Sequence, residues 1–125
     1  MKTLFYRCEK CGNIVMKVQD GLAPLVCCGK PMTELKANTT DGATEKHVPA
    51  VTREGNNLKV QVGSVAHPML EEHYIQWIAV VQEGKCVHMA YLKPGQEPKA
   101  ELIACDGPAD VYEYCNLHGL WVAQA

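Results

Sequence analysis

Apolar residues recur at every second position through the later two-thirds of the chain, which is the period of a half-buried β-strand. Leu58, Val60 and Val62 alternate with Lys59, Gln61 and Gly63 after the turn Glu54-Gly55-Asn56-Asn57. Ile75, Trp77, Ala79 and Val81 alternate likewise, ahead of a tight connection at Glu83-Gly84-Lys85. Residues 87–92 follow, and then Lys93-Pro94-Gly95-Gln96-Glu97-Pro98, where two prolines and a glycine exclude a helix. Residues 100–105, 111–115 and 120–123 complete the set, and a further strand is expected to begin at His47. About seven short strands without a helical period predict an all-β fold, an antiparallel β-sandwich of immunoglobulin type, with Trp77 in its core.

The first 36 residues have a different character, because they carry four cysteines. The polar, turn-rich stretch Asn38-Thr39-Thr40-Asp41-Gly42-Ala43-Thr44 separates them from the strands, so two domains are expected, residues 1–36 and 37–125. A unit of that size buries too little apolar surface to fold alone; below about 40 residues a metal, disulfides or oligomerisation is normally needed.

Charge changes the picture mainly by exclusion. With 12 Lys+Arg against 14 Asp+Glu there is no basic excess to neutralise phosphates, so nucleic acid is not an expected partner. The longest purely apolar run, Trp77-Ile78-Ala79-Val80-Val81, is far short of the ~20 residues of a membrane span. Leu4-Phe5-Tyr6 is too short for the apolar region of a signal peptide, and a cytoplasmic location is expected. Seven cysteines is an odd number, grouped at ligand spacing rather than scattered as a disulfide framework. Cys86 and Cys105 fall outside these groups and are expected to be small buried hydrophobes.

Two sets of donors carry the chemistry. Cys8-x2-Cys11 followed by Gly12 is a metal knuckle, in which a glycine at positive φ turns the backbone toward sulfur. Adjacent Cys27 and Cys28 reach the same ion only if the chain turns sharply, as Gly29 and Pro31 allow. Four thiolates suit zinc or iron equally, as a structural clip or a one-electron site. The second set is Cys115 and His118, flanking a two-residue turn, with His47, His67 and His73 upstream. Five donors are one more than closed tetrahedral zinc takes and one fewer than a closed octahedron. They point to a five-coordinate transition metal, iron above all, with one position for a small molecule. His88 lies within a strand and is left out of this set.

The quoted motifs resemble those of the desulfoferrodoxins, the two-iron class of superoxide reductase, over the whole length of the chain. Glu45-Lys46-His47-Val48-Pro49 reproduces the family's Glu-Lys-His-x-Pro, His67-Pro68 and His73 match its next ligands, and Cys115-Asn116-Leu117-His118-Gly119 matches its Cys-x2-His-Gly. The resemblance implies a desulforedoxin-like module with an FeS4 centre on Cys8, Cys11, Cys27 and Cys28, followed by a catalytic sandwich. There, non-haem iron held by His47, His67, His73, His118 and Cys115 reduces superoxide by one electron to hydrogen peroxide. It further implies re-reduction by an external rubredoxin-like donor, and a homodimer. Lys46 would draw the superoxide anion in, and Glu45 would take the sixth position on ferric iron. The competing expectation is a metal-binding or electron-carrier protein that does not turn over superoxide.

Overall fold

In the computed structural model, which describes residues 4–40 and 42–125, the chain forms two compact units, Met1–Lys36 and Ala37–Ala125. Asp41 of the expected connector lies outside the described residues. Among the described residues the first unit has five short strands: β1 (Phe5–Arg7), β2 (Ile14–Met16), β3 (Val26–Cys27), β4 (Lys30–Pro31) and β5 (Thr33–Glu34). They make a three-stranded sheet in the order β2-β1-β5 and a separate β3-β4 hairpin. Phe5 and Cys8 are its buried residues among those described, an apolar interior as small as the chain length requires.

The second unit is an antiparallel sandwich whose described strands are β6 (Pro49–Glu54), β7 (Asn57–Val62), β8 (Ile75–Gln82), β9 (Lys85–Tyr91), β10 (Lys99–Ile103), β11 (Asp110–Cys115) and β12 (Gly119–Gln124). One sheet has the order β10-β7-β6 and the other β12-β11-β8-β9. Between them lies the core of Leu58, Val60, Val62, Ile75, Ile78, Val80, Leu102 and Val111, and Cys115 belongs to it. Turn chemistry sets the hairpins. Glu83 and Gly84 both have positive φ (51° and 74°), the I′ pattern that matches strand twist, between β8 and β9. Among the described residues no helix is long and apolar enough to cross a membrane.

The structure corrects the sequence reading at three points. His47 does not begin a strand; it ends a single helical turn, α1 (Thr44–His47), and β6 begins only at Pro49. Ile75 does not share a face with Trp77, Ala79 and Val81. A register shift between Tyr114 and Cys115 pairs Cys115 with Ile75, so Ile75 joins Ile78 and Val80 in the inter-sheet core. Trp77 is buried on the opposite face, where it stacks on Tyr114 at 5.7 Å. Cys86 and Cys105 are both exposed rather than buried: Cys86 is the second residue of the edge strand β9, and Cys105 lies beyond β10, its backbone held by the Gln82 side chain.

Glu113 faces the interior of the sandwich, opposite Ile78 and Trp121 in register, fully buried and with neither carboxylate oxygen hydrogen-bonded. Burial alone pushes its pKa well above the ordinary carboxylic range, so the folded state holds it neutral. A group whose folded pKa is raised is stabilised by its proton only below its unfolded pKa; the stability falls as pH rises toward the folded value. Glu113→Gln removes this slope. Denaturant unfolding between pH 4 and 7 should show the variant gaining on the parent as pH rises, by at most about 1.4 kcal/mol per pH unit. Parallel curves would show that Glu113 is charged in the folded protein.

Candidate metal centres

The β3-β4 hairpin answers the problem of adjacent cysteines. Its two connecting residues, Cys28 and Gly29, both adopt positive φ (51° and 76°), so the chain reverses in a I′ turn at Cys28 itself. Pro31 lies within β4 rather than in the turn. On the facing knuckle, Gly12 takes φ 83° and donates its N–H to the Cys8 carbonyl at 2.8 Å. The Cys11 N–H points at Cys8 Sγ at 3.5 Å, and Asn13 Nδ2 at Cys27 Sγ at 3.7 Å. All four sulfurs lie within 4.8 Å of one another, with Cys11 and Cys27 at 3.6 Å.

Such crowding sets the protonation of the thiols. The Cys11 N–H lowers the Cys8 thiol to about 6, whereas the neighbouring Cys11 and Cys8 sulfurs raise Cys28 to about 12. Several thiolates cannot share so small a space without a cation among them, and a metal ion supplies that charge.

In the sandwich unit the second donor set comes from four segments. α1 presents His47; the loop after β7 presents His67; the segment before β8 presents His73; and the β11-β12 turn presents Cys115 and His118. Their five donor atoms also lie within 4.8 Å of one another. The rings form a square. Neighbouring centroids are 4.6 Å (His47–His67), 4.7 Å (His67–His73), 5.0 Å (His73–His118) and 4.7 Å (His118–His47), each pair near perpendicular. The His47–His73 diagonal is longer, 6.5 Å, with planes only 28° apart. A tetrahedron would make all these separations equal, so the arrangement suits an equatorial plane of four nitrogens rather than closed tetrahedral zinc.

Hydrogen bonds fix which nitrogen faces inward. His47 Nδ1 donates to the Ala43 carbonyl at 2.8 Å and His67 Nδ1 to the Pro68 carbonyl at 2.6 Å, which leaves both Nε2 atoms unprotonated. Those two acceptors face each other at 3.1 Å, and His118 Nδ1 lies 3.0 Å from His47 Nε2. His73 Nε2 is buried with no hydrogen-bond partner. Lone pairs aimed at one point repel unless a cation lies between them. Burial also keeps the rings neutral, as metal ligands must be: it lowers His67 to about 4 and moves His47 and His73 in the same direction. Cys115 is fully buried, 3.9 Å from His118 Nδ1. Its thiol is raised by burial, against which the backbone N–H groups of Leu117 and His118 act.

Three features hold these segments in place that periodicity does not show. The bulge opposite Tyr114/Cys115, with Gln76 as the extra residue of β8, turns Ile75 into the inter-sheet core beside Cys115, and bulges commonly lie next to functional sites. Asn116 ties the β11-β12 turn to the His73 segment: its side chain accepts from Tyr74 N at 2.9 Å and donates to the Glu72 carbonyl at 3.0 Å. Gly63 packs under α1, whose Glu45 carbonyl accepts from Val65 N and Ser64 Oγ. Lys46 is exposed, yet its positive charge opposes protonation of both His47 and His73, which puts the ammonium within electrostatic reach of the square. Glu45 is exposed on the same turn, while the carboxylate whose charge acts on His73 is Glu72, a residue outside the quoted motifs. His88 is committed elsewhere, accepting the Ile103 N–H on Nδ1 at 2.9 Å.

Comparison with known proteins agrees with this chemistry. Residues 39–124 match the family described as Desulfoferrodoxin, and residues 2–35 match Desulfoferrodoxin, N-terminal domain. A desulfoferrodoxin homolog of Archaeoglobus fulgidus is 55% identical over 116 residues, covering 93% of this chain and 92% of the relative. The desulfoferrodoxin of Nitratidesulfovibrio vulgaris is 50% identical over 120 residues, covering 96% and 94%. Among solved structures, the superoxide reductase from Treponema pallidum superposes with a TM-score of 0.74 at 30% identity, covering 98% of this chain and 99% of that one. The four-cysteine set and the set of four histidines with one cysteine match the two iron sites of desulfoferrodoxin.

A Cβ added at Gly63 would lie 2.7 Å from the Glu45 carbonyl oxygen and 2.9 Å from both the Lys46 carbonyl carbon and the Val48 oxygen, all of them backbone atoms. Gly63→Ala must therefore displace the turn that carries His47, at a cost of about 1–3 kcal/mol. Metal analysis should show iron lost from the His/Cys site and retained in the four-cysteine site. Full occupancy of both would mean that the turn tolerates the shift.

Proposed function

This chain belongs to the desulfoferrodoxin family, and we propose that it is a superoxide reductase, reducing superoxide by one electron to hydrogen peroxide at the His/Cys site. The observation that carries this reading is the square of four imidazoles with a buried thiol beside it: five donors of the kind iron takes, one short of a full octahedron. The related superoxide reductase structures support it. Bound iron supplies the electron that superoxide takes up along with two protons, and an outside donor, a rubredoxin-like protein, restores it.

The protein's own residues divide the remaining work. His47 and His67 each donate Nδ1–H to a backbone carbonyl, which fixes the tautomer and makes Nε2 a stronger donor. Cys115, held in a dry core, provides a thiolate whose electron density favours protonation and release of product over O–O cleavage. Lys46 attracts the anion in a chain whose formal net charge is −2, so the attraction is local. Glu45, exposed on the same turn, would offer a carboxylate oxygen to the ferric ion. The four-cysteine site is assigned as an electron port, and the protein as a cytoplasmic homodimer.

Anaerobically reduced protein mixed with superoxide in a stopped-flow instrument should show oxidation of the His/Cys iron and one peroxide per electron. Cys115→Ser should abolish this while the spectrum of the four-cysteine site stays unchanged. If the parent's second iron is not oxidised, the protein is an electron carrier; zinc alone in both sites would make it a metal-binding protein. Lys46→Ala should keep its iron yet meet superoxide about tenfold or more slowly, with weaker salt dependence. An unchanged rate and salt slope would remove Lys46 from the steering role.

A further inference from the structure

One residue touches two corners of the imidazole square. Trp121, in β12 and 3% exposed, lies face-on against His47, with ring centroids 4.9 Å apart and planes at 25°. Its indole Nε1–H donates to the His118 carbonyl at 3.0 Å. His67 and His118 meet His47 edge-on, so Trp121 provides the flat face against which that ring rests. We propose that Trp121 is a positioning residue for the His/Cys site, fixing the plane of His47 and the path of the Cys115–His118 turn together, and so raising the site's affinity for a divalent metal.

A backbone hydrogen bond is the first restraint on His47. Its Nδ1 hydrogen bond to Ala43 fixes one point on the ring and Gly42 lies close to its Cε1 edge, which leaves the tilt of the ring plane to be set. Contact with the indole face sets that tilt. At His118 the restraint is on the backbone. Its carbonyl accepts from both Trp121 Nε1 and Thr40 Oγ1, which uses the two lone pairs of the oxygen. The next residue, Gly119, takes φ 81°, and a Cβ there would lie 3.2 Å from the Thr40 side chain. The turn that delivers both Cys115 and His118 is thus clamped at its carbonyl by a residue that also orients His47.

The stack also depends on the state of the site. An imidazole bound to a cation is electron-poor, and an indole face attracts positive charge more strongly than other aromatic faces. The contact is therefore more favourable with metal present than without it. Any interaction stronger in the loaded state adds to metal affinity, by the same linkage that lets a ligand stabilise a fold. Removing residues that orient metal ligands typically costs about 10–100-fold in affinity. This inference concerns metal binding by the four histidines and Cys115 and does not depend on superoxide turnover.

The test compares full-length parent, Trp121→Phe and Trp121→Leu, loaded anaerobically with Fe²⁺ against a competing chelator. The four-cysteine site in the same molecule serves as the control. Phe keeps a stacking face and loses the hydrogen bond; Leu loses both. The His/Cys site should lose affinity about tenfold with Phe and about 100-fold with Leu, the four-cysteine site being unchanged. The thiolate-to-iron absorption of the oxidised His/Cys site should also move, because Cys115 rides on the clamped turn. A plain core role predicts something else: lower unfolding midpoints of the metal-free variants, with unaltered affinity and absorption. That result would overturn the proposal. If the Leu variant fails to fold, the Phe variant decides, since parent-like affinity and spectrum in folded Trp121→Phe also overturn it.

Discussion

Convergence of unprotonated nitrogen lone pairs is the constraint on which the sandwich end of this protein depends. His47 and His67 are each tied through Nδ1–H to a backbone carbonyl, so neither can relieve the 3.1 Å approach of their Nε2 atoms by sharing a proton. Burial disfavours protonation as well. A cation at the centre reconciles the four rings, so the donor set and a metal ion fit one another. A site of this kind discriminates by geometry, and four rings set at near right angles favour a plane of nitrogens.

The two units meet the same demand for a cation in different ways. The sandwich has an inter-sheet core of Leu, Ile and Val that stands apart from the histidine donors, and it imposes their positions through loops, a bulge and the close approach at Gly63. The first unit has little described interior beyond Phe5 and Cys8, and one of those two is itself a donor. There the metal contributes to the fold, as expected for so short a chain. Loss of metal should thus be a local event in the sandwich and a folding event in the smaller unit.

Legibility followed the range of the interactions. The strands of the sandwich were readable because alternation reports a local period, and Cys8-x2-Cys11 and Cys115-x2-His118 were readable because each pair sits on one turn. Alternation breaks down at β8, where Ile75 belongs with Ile78 and Val80: Gln76 is an extra residue in the ladder and shifts the phase, which shows only in the pairing with β11. Cys86 and Cys105 depart from expectation because composition says how often cysteines are buried, while an edge strand and a loop put these two in solvent. The turn that carries His47 escapes periodicity because four helical residues are too few to show a period.

Residue types and spacing by themselves determined the chemistry available: two soft-donor sets, about seven strands and a division near residue 37. Tertiary structure decided everything that required distant segments to meet. It set the square rather than tetrahedral arrangement of the rings, placed Trp121 against both His47 and His118, left Glu113 neutral in the interior, and made Gly63 the floor beneath α1. The reason is physical. A hydrophobic period or a ligand pair is enforced within one strand or turn, whereas ring orientation, desolvation and close backbone approach depend on neighbours far along the chain, which only the packed sandwich supplies.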